Sequence, residues 1–78
     1  MDERIRELLE KELPEIDFDA EVDLVDDGII DSLTLSVIIT ILTMEFDITV
    51  PKEEINADNF NSISSMSSMV KRLSKENL

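Results

Sequence analysis

Ile5, Leu8, Leu9 and Leu13 recur at three- and four-residue intervals among charged neighbours. That is the spacing of an amphipathic helix with one face buried. Pro14 ends it, because a residue without an amide hydrogen cannot continue the ladder. From residue 15 to residue 30 no period is sustained, and Phe18, Val22, Leu24 and Ile29 stand among acids. This stretch reads as a loop whose apolar residues fold back over a core, and so long a loop in a small domain is commonly functional. Asp27-Gly28 marks a turn within it, since glycine enters positive φ without steric cost.

A second helix is predicted to begin at Asp31 or Ser32, both good N-cap types. Leu35, Ile38, Ile39, Leu42 and Phe46 form its buried stripe. The many β-branched residues would also suit a strand, but the run is too long for one and opens with helix punctuation. It should stop near Asp47, because Val50 precedes Pro51 and is biased toward extended backbone. Pro51 with Lys52, Glu53 and Glu54 reads as the first turn of a short helix, proline at its first position and acids toward its positive end. Residues 56–61, NADNFN, read as a turn anchored by Phe60. Asn61 or Ser62 then caps a last helix with Ile63, Met66, Val70 and Leu73 on one face. Lys71, Arg72 and Lys75 fall at its negative end, where cations are favoured. SISSMSSM keeps the helical period in its Ile and Met, so it is a serine-rich helix face rather than a disordered tract. The fold class is therefore all-α, a small bundle of three longer helices and one short helix forming a single domain over 1–78.

Composition narrows the chemistry sharply. The 78 residues contain no Cys and no His. This removes disulfides, thiolate metal sites, a cysteine nucleophile, the commonest general base and the Ser-His-Asp arrangement. Any thiol chemistry must therefore use sulfur brought by a prosthetic group, and the chain is not expected to be an enzyme. A core of this size supplies only about 3–5 kcal/mol, so packing quality matters. Nineteen acids against seven bases give a net charge of −12. Such a surface repels phosphate backbones and anionic lipid, so nucleic acid and membranes are poor partners and basic protein patches are good ones. The charge is uneven: residues 1–31 hold thirteen acids and three bases, and residues 32–50 hold two acids and no base.

MDERIRELLEKEL has no apolar core of a signal peptide. The apolar run from Leu33 to Phe46 falls short of the roughly 20 residues of a membrane span. The expectation is a soluble, cytoplasmic protein. The acidic loop also invites a calcium reading: counted from Asp23, Gly28 takes the sixth position of an EF-hand loop. However, Val25 and Thr34 occupy positions three and twelve, so the loop lacks two carboxylates, the bidentate one among them, and no specific metal site is expected. Weak, nonspecific attraction of divalent cations is all that the charge implies.

The candidate residue is Ser32, in DDGIIDSLTLS. Read structurally, it is a helix cap, the usual role of a serine at a helix start. Read functionally, it is an attachment point. A phosphodiester there would lie at a helix N-terminus that favours an anion, the Gly28 turn would place the hydroxyl on an exposed corner, and Leu33 beside it points off the core stripe.

At these residues the chain resembles the acyl carrier proteins. GIIDSL, the helix ending MEFDI, the VP that follows and the closing FNSI carry the resemblance, with DSL in register with EFD fourteen residues on. It covers nearly the whole chain. In that family the serine of DSL bears 4′-phosphopantetheine, delivered from coenzyme A, whose thiol holds acyl or aminoacyl groups as thioesters. Carried over by position, Ser32 is the attachment residue and Asp31 and Leu33 complete its motif. The resemblance implies a monomer whose partners are a phosphopantetheinyl transferase, an acyl- or aminoacyl-loading ligase and acyltransferases.

Two departures point away from the fatty-acid pathway. The helix after the serine, acidic on its exposed face in those carriers, here presents Leu33, Ser36, Val37, Thr40, Thr43 and Met44, none of them charged. An exposed Leu, Val and Met at helical spacing mark an interaction surface, although Val37 and Met44 could equally widen the core stripe. Gly28 also lies four residues before the serine, where fatty-acid carriers place glycine three before. With FDITVP later, this is more similar to the discrete carriers that hold D-alanine for teichoic acid modification. The rival is an acidic helical adaptor with no prosthetic group, which would tolerate Ser32→Ala.

Overall fold

The computed structural model describes residues 1–20 and 23–75. Four helices follow in chain order: α1 (Asp2–Glu12), α2 (Ser32–Phe46), α3 (Ala57–Phe60) and α4 (Ile63–Lys75), with a 3-10 turn at Lys52–Glu54 between α2 and α3. The described residues form no strand. The β-branched run thus folds as the helix its punctuation predicted, because burial of one face outweighs the weak intrinsic preference of Ile and Thr.

Each helix buries the stripe that the spacing marks. On α1 this is Ile5 and Leu9, with Leu8 and Leu13 half-buried at its margins. The Leu13 N–H closes the last turn on the Leu9 carbonyl at 2.7 Å, and Pro14 follows. α2 buries Ile38 and Leu42 completely and Leu35, Ile39 and Phe46 in part. It ends where Asp47 enters the left-handed region (φ 52°), a conformation that Asp adopts more readily than most residues. α4, packed against α1, α2 and α3, contributes Ile63, Met66, Met69, Val70 and Leu73. Arg4 ties α1 to the end of α2, reaching Glu45 at 2.6 Å and lying 5.0 Å over the Phe46 ring.

The structure corrects the sequence reading in several places. NADNFN is not a plain turn: Asn56 caps the one-turn helix α3 by accepting from the Asn59 N–H at 3.0 Å, and Phe60 at its end is fully buried. Pro51 precedes the 3-10 turn as its cap residue, with ψ 159°, rather than occupying its first helical position. The cap of α4 is Ser62, whose Oγ accepts from the Ser65 N–H at 3.0 Å. In the long loop Phe18 and Leu24 are buried as expected, but Ile30 takes the inward place given to Ile29, which is 45% exposed. The Ile30 N–H bonds back to the Leu24 carbonyl at 2.9 Å, and that closure turns residue 30 rather than 29 toward the core. Val22 lies outside the described residues.

Among the described residues, one buried hydroxyl is left unsatisfied. Ser67, 1% exposed on α4, has an Oγ with no hydrogen-bond partner. A buried hydroxyl without a partner costs about 1–3 kcal/mol, and alanine fits the same space with a better helix propensity. Ser67→Ala should therefore raise stability by about 1 kcal/mol, or several degrees in Tm for a domain of this size. A lower Tm would show that the hydroxyl is satisfied in solution.

Candidate functional site

The turn, the cap and the start of α2 are built from consecutive residues. Gly28 has φ +79°, and a Cβ there would meet nothing within 4 Å, so backbone conformation alone selects glycine. Two residues later Ile30 anchors the chain in the core, and Asp31 follows with extended backbone (φ −89°, ψ 179°). The Asp31 Oδ1 accepts from the Thr34 N–H at 2.8 Å, which makes Asp31 the N-cap of α2. Its main-chain carbonyl takes the Leu35 N–H at 2.8 Å.

The cap therefore is Asp31, not Ser32. Ser32 is the first helical residue, exposed, and its hydroxyl makes no hydrogen bond among the described residues. Sequence could not separate the two residues because both types cap helices well. The structure separates them: the aspartate holds the helix start and leaves the serine hydroxyl free on an exposed corner. The first turn of α2 carries no acid within the helix. A singly charged phosphodiester ester-linked at Ser32 would thus meet the positive end of a 15-residue helix.

The carboxyl of Asp31 is perturbed by its capping role. The Thr34 N–H and then the Thr34 side chain hold its carboxyl below the usual aspartate range, with smaller help from nearby backbone N–H groups. Because the folded state favours the ionised form, the resulting stabilisation is present at neutral pH. It is lost as pH falls through and below the ordinary aspartate value of about 3.9. Asp31→Asn keeps a capping oxygen without the charge. Between pH 7 and pH 3 the urea midpoint of the wild type should fall further than that of Asp31→Asn. Equal falls would mean that the folded state does not favour the ionised form of Asp31 over the unfolded chain.

The predicted docking residues fall on one face. Leu33 and Met44 are 77% and 78% exposed, and Val37 is 39% exposed, so Val37 and Met44 do not widen the core stripe. Ser36 and Thr40 are exposed between them, while Thr43 is half-buried and leaves the group. Both exposed hydroxyls are turned onto the helix itself: Ser36 Oγ donates to the Ser32 carbonyl (3.1 Å) and Thr40 Oγ1 to the Ser36 carbonyl (3.0 Å). With Glu12 and Ile41 these residues line a shallow, open groove of about 440 Å³ beside the end of α1.

Sequence reasoning missed Asn61, which it weighed only as a helix cap. Its Oδ1 accepts from the Val25 and Asp26 N–H groups at 2.9 and 3.1 Å, and its Nδ2 donates to the Asp26 carboxylate at 3.1 Å. Its main-chain carbonyl accepts from the Leu24 N–H at 3.0 Å. The partners are 35 and 36 residues away, which no local pattern reveals.

At the start of α2 an exposed serine whose hydroxyl bonds to nothing among the described residues thus stands beside a capping aspartate, next to a helix face without charge. The family model described as "Phosphopantetheine attachment site" matches residues 3–70. The chain belongs to that family: it is an acyl-carrier-type protein that bears covalent 4′-phosphopantetheine, and it is not an enzyme. No curated protein and no solved structure matches it significantly. No helix among the described residues is long and apolar enough to cross a membrane.

Proposed function

We propose that Ser32 is the attachment residue, and that the chain holds acyl or aminoacyl intermediates as thioesters on the arm and presents them to partner enzymes. The observation that carries this is the division of labour at residues 31 and 32, the cap on one and a free exposed hydroxyl on the other. On this reading the Ser32 oxygen bonds to the pantetheine-side phosphorus of coenzyme A, the pyrophosphate bond breaks, and adenosine 3′,5′-bisphosphate leaves. The serine proton leaves to a group on the transferase, because no base of this chain is hydrogen-bonded to the hydroxyl among the described residues. Asp31 orients the helix start and Leu33 offers an apolar contact at its rim. When bound, the arm supplies the thiol that the sequence lacks. The test is an intact mass after incubation with coenzyme A and a promiscuous phosphopantetheinyl transferase. A gain of one phosphopantetheine supports the proposal, and no gain by a folded chain rejects it.

The remaining partners are a loading ligase and the acyltransferases that receive the cargo, met by a monomer in the cytoplasm over the whole 1–78 domain. Their docking face is Leu33, Ser36, Val37, Thr40 and Met44. Because these α2 residues carry no charge, contact with them relies on apolar burial, while the acids of residues 1–31, with Glu12 at the groove's edge, steer the approach. The charge-free face and the position of Gly28 favour a dedicated carrier, of the D-alanyl type, over a general fatty-acid carrier. Val37→Asp sets a carboxylate in that contact and should lower transfer to a partner about tenfold or more while moving Tm little. If it instead unfolds the domain, the face belongs to the core.

A further inference from the structure

Asn61 sits at the corner between α3 and α4 and holds a segment far away in sequence. Both lone pairs of its amide oxygen and one of its two amide hydrogens are committed to Val25 and Asp26. Its main chain takes Leu24 as well. Since Ser62 caps α4, the Asn61 amide has no helix duty that competes with this one.

The tethered residues lead directly to the attachment corner. The Leu24 carbonyl accepts from Ile30, the Val25 carbonyl accepts from Gly28 at 3.1 Å, and Asp31 next to Ile30 caps α2 through Thr34. A continuous series of hydrogen bonds and one peptide link thus runs from the α3–α4 corner to the residue before Ser32. Leu24 and Ile30 keep the loop near the core through apolar burial, but burial is not directional. At residues 24–26 the directional contacts to the α3–α4 corner are those of Asn61.

We infer that Asn61 is a positioning residue for the modification of Ser32: it fixes the pose in which segment 24–31 presents the serine to the transferase. This rests on Ser32 being the attachment residue. Without the tether the loop samples several poses, and an enzyme that engages one of them sees the carrier diluted by that fraction. The expected signature is a raised KM for the carrier with kcat preserved at saturation.

The test uses the full chain, coenzyme A and the transferase, with rates followed by intact mass and with amide hydrogen exchange read at residues 24–26. Asn61→Ala should raise the KM for the carrier about tenfold, leave kcat within about twofold, and deprotect the amides of Val25 and Asp26. The double variant Asn61→Asp with Asp26→Asn keeps both acceptors, reverses the third hydrogen bond and leaves the net charge unchanged. It should restore the protection and bring KM back to within about threefold of wild type. Should Asn61→Ala fail to fold, Asn61→Ser, too short to bridge both N–H groups, carries the same comparison.

An unchanged KM in a folded Asn61→Ala chain overturns the inference. So does a fall in kcat alone, amides that stay protected, or a double variant that regains protection without regaining KM. The wild type separates the two levels of the argument. If it gains no mass, or if Ser32→Ala gains it too, the attachment reading itself fails. If it is modified at Ser32 and the Asn61 variants match its kinetics, only the positioning role fails.

Discussion

Ser32→Ala gives a folded chain that gains no mass with coenzyme A and transferase and supports no downstream transfer. Two opposed expectations meet in this variant. If Ser32 were the cap of α2, its removal would cost about 0.5–2 kcal/mol, a large part of what a 78-residue domain has to spare. Because Asp31 holds the cap through the Thr34 N–H, and the Ser32 hydroxyl bonds to nothing among the described residues, the alanine variant loses no native interaction. Alanine is also the best helix former at a helical position. The urea midpoint should therefore stay level or rise slightly while modification falls to zero. Two measurements on one sample decide the matter. A lowered midpoint with modification retained would return Ser32 to a structural role and move the attachment point to another residue.

The largest loss of stability belongs to Phe60→Ala. Phe60 is fully buried at the end of α3, in the same cluster as Met66, Met69 and Val70 of α4. Truncating a buried Phe costs about 3–5 kcal/mol, from lost transfer free energy and the cavity left behind. In a domain whose core supplies only about 3–5 kcal/mol net, that leaves a substantially unfolded population at room temperature. Circular dichroism should show reduced helix signal and a broad, early thermal transition. A cost below about 1 kcal/mol would mean that α3 collapses onto the gap and that Phe60 is not the anchor its burial indicates.

Where an element announces itself through periodic burial, sequence and structure agree. Ile5 and Leu9, Ile38 and Leu42, and Met66 and Val70 are spaced by the geometry of the helix that buries them. The disagreements arise where a single hydrogen bond decides between neighbours of similar chemistry. Ile29 and Ile30 are identical in type, and only the Ile30 to Leu24 bond says which faces inward. Asp31 and Ser32 both cap helices, and only the Thr34 contact assigns the cap to Asp31 and frees the serine. Phe60 was legible as an anchor, but the one-turn helix ahead of it depends on the Asn56 cap, in a stretch too short to show a period. Asn61 and the Arg4–Glu45 pair join residues far apart in the chain, and one sequence holds no trace of such pairing. The site was thus readable as a motif, and its support was not.

The back-bonded hydroxyls of α2 carry a consequence for how the protein finds its place in a cell. The α2 side of this surface, whose donors on Ser36 and Thr40 are already used by its own helix and which carries no charge from residue 32 to residue 44, is read by its contour. Such an address is cheap to rewrite. Exchanging Thr40 for valine, or Val37 for isoleucine, leaves no partnerless group and breaks no ion pair, yet changes the relief by single methyl groups. Duplicated copies of this carrier could diverge toward different enzymes by a few such steps, each one passing through a folded and loadable intermediate.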